Sequence, residues 1–321
     1  MVFSLIKDIK DSGEPHGTRF DRALILQKCH CFTDFQLWPS GSVIDPEGWL
    51  TNFNEDEFEY AHHLLNAFMY YSTPLVEQLF AAGFQSLSTL DRRNGRRFPE
   101  AQSAWEAFCG SLIVTYVTGE QPNPTDSGFA FARMARQVLG IEEERIVAPE
   151  KALSLLVSDP NRPVLFVDDF VGSGDQFIKT WHRPHAIPSH GEHSFARQAL
   201  AGHRARYHYC PAVCTAYGAR EIATHCPGNL VLRPGNWLPD QNSAIHPESV
   251  VWPDQLRASG EQFVESASHR AGIPDHNGGV GDWRGYRKLG LTLAFSHSTP
   301  DATLPLFYFE ANNWWPLIRR R

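Results

Sequence analysis

The chain has 321 residues, 42% of them apolar and 12% aromatic, enough to bury a sizeable core in one large domain or two moderate ones. Its formal net charge of -7, from 36 acidic against 29 basic residues, disfavours a broad electrostatic grip on a nucleic-acid backbone, so direct nucleic-acid binding is not expected. The sequence has no apolar run of about 18 residues, and its first residues, MVFSLIKDIKDSGEPHG, lack the long apolar stretch of a signal peptide, so a cytoplasmic protein without a membrane partner is expected.

In chain order, the first landmark is Cys29-His30-Cys31, whose alternation would point both thiols to one side of an extended chain. No CxxC partner follows it. The six cysteines, Cys29, Cys31, Cys109, Cys210, Cys214 and Cys226, form no dense disulfide framework and read as reduced thiols. Residues 56–90 carry apolar side chains at spacings of three and four, with a break at Ser72-Thr73-Pro74 where a second helix can start, so a helical hairpin is expected. The polar stretch DRRNGRRFPE then separates an N-terminal helical region, 1–100, from the remainder, 101–321.

From residue 111 the pattern alternates. SLIVTYV reads as a strand, GEQPNPTDSG as a loop, FAFARMARQVLG as a helix, RIVA as a short strand, PEKALSLLVSD as a helix and PVLFV as a strand buried on both faces. YCPAVCTAYG, AREIATHC and NLVL continue as strand, helix and strand, and LGLTLAFSH (289–297) is a further strand candidate. The expected fold is therefore α/β: a mainly parallel sheet with helices on both faces, plus the N-terminal helical region. Residues 182–208, with six histidines, and 233–256, rich in Pro, Asn, Asp and Trp, read as long surface connections. The group His182, His185, His190 and His193 lacks a recognised zinc spacing.

The chemistry concentrates in VLFVDDFVGSG, 164–174. Asp168 and Asp169 stand at the end of a buried strand, where ligands of open parallel sheets bind. The plain alternative is one aspartate capping a turn and the other solvated. A Walker B reading needs a GxxxxGK[ST] loop, but the nearest stretch, GSGDQFIKT, has Ile178 before Lys179. A Rossmann reading needs GxGxxG, and GSGDQF ends in Phe177. What remains is a phosphate held by the backbone of the loop and by Ser173 at a helix start, with the carboxylates holding sugar hydroxyls.

Here the stretch resembles the signature of type I phosphoribosyltransferases: four apolar residues, two acids, two variable residues and a Thr/Ser/Gly loop. The resemblance implies that Asp168 and Asp169 are the catalytic, ribose-binding pair and that Gly172, Ser173, Gly174, Asp175 and Gln176 form the phosphate loop. It also implies a pyrophosphate loop containing Gly119, Ser127, Gly128 and Arg133; for the arginine a solvated helix face is the alternative. His297, Thr299, Asp301 and Thr303 follow a strand and could face the cleft on the acceptor side, or form a plain structural loop. The chain departs from the signature at Asp175-Gln176, where a small residue and Thr/Ser are usual, and an aspartate fits there only if it turns away and caps the helix.

The order of parts, WLTNFNEDEFEYAHHLLNAF, TGEQPNPTDSG, FVDDFVGSGDQF, FSHSTPDATLPLFYF and WWPLIRR, is similar to the phosphoribosyltransferase-like (PRTase-CE) proteins of bacterial conflict systems. That implies a transferase-type effector acting on phosphoribosyl pyrophosphate or a related nucleotide, in anti-phage defence and with partner proteins. A catalytically inactive phosphosugar sensor or a scaffold subunit is the alternative. Magnesium is expected as a substrate-bound ion, because a hydrated ion on pyrophosphate needs few protein ligands.

Overall fold

Apolar strands with no polar face must be covered on both sides, and in the computed structural model, which describes residues 22–89, 97–119, 127–201 and 206–320, the central strands are. The N-terminal part comprises α1 (Arg22–Asp34), α2 (Pro46–Leu50), α3 (Phe58–Ala67), β1 (Met69–Tyr71), α4 (Thr73–Ser86) and α5 (Phe98–Ser111). The central part runs β2 (Ile113–Tyr116), α6 (Ser127–Leu139), α7 (Pro149–Ser158), β3 (Val164–Val171), α8 (Asp175–His182), β4 (His185–Ile187), β5 (Gly191–His193), α9 (Phe195–Leu200), β6 (Tyr207–Thr215), α10 (Ala216–His225), β7 (Leu230–Leu232) and β8 (Asn236–Leu238). It is followed by α11 (Asp254–Ala271) and β9 (Leu293–Phe295). Helix starts follow local chemistry: Pro lies in the first turn of α2, α4, α5 and α7, where no amide donor is needed, and the Asp45, Ser194 and Thr215 side chains cap α2, α9 and α10.

The central sheet is parallel throughout, in the order β2-β3-β6-β7, with β8 pairing the far end of β6. Alternation along β3 divides its side chains between two cores. Leu165 and Val167 join Phe80 of α4 and Phe131 of α6 on one face. Val164 and Phe166 meet Phe177 and Trp181 of α8 and Phe195 of α9 on the other. A third core holds Ile25, Trp49 and Leu64 with Val264 of α11, Leu306, Phe307 and Leu317. In it Trp49 stacks on Phe307 at 5.4 Å and donates Nε1–H to the Leu306 carbonyl at 2.8 Å, so α1–α3 share their interior with the C-terminal segment.

Four local expectations change. The helical hairpin is split by β1, because Met69–Tyr71 pairs in parallel with β9 in a second, two-stranded sheet. Residues 289–297 accordingly give only a three-residue strand, and it joins β1 rather than the central sheet. RIVA forms a single bridge, Ile146 to Val114, after a 3₁₀ turn at Glu143–Arg145. Cys29-His30-Cys31 lies within α1, where residues two apart face different ways, so Cys29 is buried and Cys31 exposed. All six cysteines are free. Among the described residues, no helix is long and apolar enough to cross a membrane.

The aromatic layer on the α8 face gives a stability test. Trp181 is fully buried between Phe177, Phe195 and Tyr207, with ring centroids 5.9, 6.3 and 4.9 Å away, yet its indole N–H has no acceptor. Trp181→Ala should cost roughly 3–5 kcal/mol in chemical denaturation. Trp181→Phe should cost far less, because it retains most of the ring packing and removes the unpaired donor.

Candidate functional site

The site begins where β3 runs past the point at which its apolar residues end. Asp168 and Asp169 remain in the extended strand and, being consecutive, point to opposite faces of the sheet. Asp168 turns toward the α8 face, where its Oδ2 accepts the Tyr209 hydroxyl at 2.8 Å and its Oδ1 the Asp169 amide at 3.0 Å. Tyr209 in turn stacks on Phe177 at 4.1 Å. Asp169 turns the other way: its Oδ2 lies 2.6 Å from His297 Nε2, and its Oδ1 accepts the Phe170 amide at 2.8 Å. Burial holds Asp168 well above the carboxylate range, and the neighbouring Asp169 charge and hydrogen bond add to this against the opposing pull of Tyr209 and the Asp169 amide. Burial likewise raises Tyr209, helped by the charge of Asp168. Burial and a like charge one residue away thus both disfavour ionisation of Asp168.

The loop after the strand is pinned from β6. The Thr215 hydroxyl donates to the Gly172 carbonyl at 2.5 Å and accepts the Gly218 amide at 2.9 Å, so the cap of α10 also fixes the loop. Gly174 has φ +84 and caps α8 without a side chain, and a Cβ there would lie 3.0 Å from the Gly218 carbonyl. The first-turn amides of α8 thus face a turn with no side-chain cap at Gly174, although Ser173 Oγ accepts the Asp175 amide at 3.3 Å.

Asp175 is the first residue of α8 rather than its cap. Its carboxylate accepts the Tyr286 hydroxyl at 2.8 Å and pairs with Arg287 at 3.0 Å. Burial alone would raise it, but these bonds outweigh burial and hold Asp175 below the usual carboxylate range. Neither Tyr286 nor Arg287 is signalled in the sequence, because they sit in a non-periodic loop. Tyr209 is equally silent there, as one aromatic residue in an apolar strand.

These groups line a cleft of about 470 Å³ bounded by 168–177, Lys179, Tyr209, Tyr286, 298–302 and Arg320. Thr299 and Asp301 border it, Asp301 through an ion pair with Arg320, and exposed His297 stands at its rim through Asp169. Thr303 does not face it: the residue is fully buried and its hydroxyl donates to the Leu293 carbonyl at 2.7 Å, tying the loop to β9. Gln176 borders the cleft at the start of α8. Of the residues grouped as a pyrophosphate loop, Gly119 follows β2, next to β3, and accepts Arg183 Nη2 at 2.7 Å on its carbonyl. Residues 120–126 of that loop lie outside the described residues; Ser127 and Gly128 open α6, and Arg133 is exposed along it.

A parallel α/β sheet with two acids and a glycine loop at the carboxyl end of a central strand is the arrangement of a phosphoribosyltransferase-like protein. The family comparison agrees: the PRTase-CE family model matches residues 46–320, and the chain belongs to that family. No curated protein and no solved structure matches it.

Asp168 makes a pH prediction. A buried acid whose folded pKa is raised takes up a proton on folding, so stability falls as pH rises from about 4 toward the raised value, by up to about 1.4 kcal/mol per pH unit. Asp168→Asn mimics the protonated acid and should flatten that slope in urea titrations across this range. An unchanged slope would show that Asp168 is charged in the folded protein.

Proposed function

We propose that the cleft binds a phosphorylated ribose donor, phosphoribosyl pyrophosphate or a related nucleotide, and transfers its ribose 5-phosphate through C1. The observation that carries this reading is the acid pair at the end of β3 leading directly into a left-handed glycine turn at the start of α8, all in one cleft. In this reading Asp169 faces the ribose, Gly172, Ser173 and Gly174 cradle the 5′-phosphate, and the end of β2 takes the pyrophosphate. The C1–O bond breaks and its electron pair leaves with pyrophosphate, while an acceptor nitrogen or oxygen forms the new bond to C1. Asp169 stabilises the cation-like C1, and His297, 2.6 Å from it, receives the acceptor's proton.

The donor set suits a metal carried in by the substrate. Asp168 is committed to Tyr209, so Asp169 is the carboxylate that would touch a magnesium ion, and among the described residues no group of three or more His, Cys, Asp and Glu side chains is arranged to hold one. Such an ion keeps most ligands from water and pyrophosphate, and its charge would favour departure of the leaving group. Family membership supports placing this chemistry in an effector of bacterial anti-phage defence, acting with partner proteins. A second reading, a phosphosugar sensor without turnover, is favoured by Asp175, whose negative charge sits in the first turn where phosphate would bind.

The test is pyrophosphate release from phosphoribosyl pyrophosphate with magnesium and a panel of nucleobases, alongside nucleotide-pool profiles and phage protection in expressing cells. Asp169→Asn should lower turnover by about 10²–10³, as loss of a charge aimed at the transition state does. Asp168→Asn, at a carboxyl turned away to Tyr209, should lower it less than tenfold, and the double variant should be inactive while melting like the parent. Full activity in the double variant would overturn the proposal. Tight donor binding without turnover in the parent protein would select the sensor.

A further inference from the structure

Arg287 lines one cavity and is ion-paired to a residue that lines another. One is the cleft it reaches through Asp175; the other, of about 380 Å³, lies at the carboxyl ends of β6 and β8. Leu238, Ile245 and Leu289 supply apolar walls to this second cavity, with Tyr217 beside them and Arg287 and Lys288 at its mouth. The acid that borders it, Asp240, is already taken by Arg220 in a two-pronged pair at 2.9 and 3.0 Å. Lys288 is exposed and has no ion-pair partner among the described residues. The lining therefore combines apolar side chains with exposed cations.

The backbone that presents these cations is strained. Arg287 and Lys288 both have φ 56, in the left-handed region that is unfavourable for a residue other than glycine. The segment is held there from outside. The Tyr286 amide donates to the Asp301 carbonyl at 2.7 Å and the Arg287 amide to the Gly278 carbonyl at 2.8 Å. A Cβ on Gly285 would lie 2.5 Å from the Ala302 carbonyl, so the turn sits directly on the floor of the first cleft. Two consecutive cations on a fixed turn, lining a cavity together with apolar side chains, fit an anion with an apolar body.

We infer that this second cavity is a separate site for a nucleoside monophosphate, its base against Leu238, Ile245 and Leu289 and its phosphate on Lys288 and Arg287, and that it is linked to the first cleft through Arg287. A phosphate that recruits Arg287 draws it from Asp175. The Asp175 carboxylate, left with the hydroxyls of Tyr286 and Ser173 and no cation, then repels a second phosphate at the glycine loop. Occupancy of the second site thus weakens donor binding at the first, and by linkage the reverse holds to the same extent. The site itself is independent of the function proposed above; only the coupling rests on it.

Calorimetric titration of the full-length protein with AMP tests the site. AMP should bind the parent protein, bind at least tenfold more weakly to Lys288→Glu and to the cavity-filling Ile245→Trp, and bind undiminished to the Asp168→Asn/Asp169→Asn variant. Thermal melts identify any variant that fails to fold, and Lys288, being exposed, provides the variant least exposed to that failure. Loss of AMP binding in the double aspartate variant but not in Lys288→Glu would put AMP in the first cleft and overturn the inference. Equal affinity for AMP and inorganic phosphate would reduce the site to an adventitious anion site and overturn it too. For the coupling, saturating AMP should weaken phosphoribosyl pyrophosphate binding severalfold in the parent protein and not in Lys288→Glu; donor affinity unchanged by AMP would refute it. Failure of the donor to bind at all would sink the phosphosugar reading alone, since the AMP series is read without it.

Discussion

The hydrogen bond from Tyr209 to Asp168 is the contact on which the site's geometry depends. β3 is enclosed on both faces, so a carboxyl inside it must be neutral or paired; burial without either costs several kcal/mol. Tyr209 is on β6, in register opposite Phe166, and its hydroxyl reaches along the sheet to the one acid on its own face. With Asp168 satisfied, the strand can stay extended through Val171. Alternation then leaves Asp169 pointing the other way, toward His297. One acid is tied into the sheet while its neighbour is turned toward the opposite face.

The same division of labour recurs at the glycine loop. Thr215 holds the Gly172 carbonyl from behind, leaving the front of the turn open to the cleft. Asp175 puts a negative charge in the first turn of α8, beside the glycine loop, and Arg287 and Tyr286 answer it. That answer carries the strain of two left-handed residues, stored outside the cleft in a turn that Gly278 and Asp301 pin in place. A simple phosphate cradle would need none of this. The arrangement makes the charge of the loop adjustable by whatever else Arg287 can reach.

Much of the frame was legible in the sequence because it is written in continuous apolar runs. β2, β3 and β6 announce themselves by composition, and VLFVDDFVGSG carries both its strand and its turn. What was not legible depends on encounters between distant segments. β1 and β9 are three residues each, too short for any period to show, and each is a strand only because the other pairs with it. Tyr209, Tyr286 and Arg287 become site residues through geometry, since nothing in their neighbours' spacing marks them. Thr303, four residues from Thr299, is separated from the cleft by a bridge between Leu291 and residue 303 that turns its side chain inward. Asp175 stands out in the sequence as a departure from the signature, but its partners lie more than 100 residues away.

The pairing of β1 with β9 joins residues 69–71 to residues 293–295 and so closes most of the chain into one loop. During synthesis the strands of the central sheet emerge first, and they can assemble while the polypeptide is still growing. The groups that complete the cleft, Tyr286, Arg287, His297, Asp301 and Arg320, all follow the central sheet in the chain. A nascent chain therefore carries the acid pair and the glycine turn without the wall that encloses them.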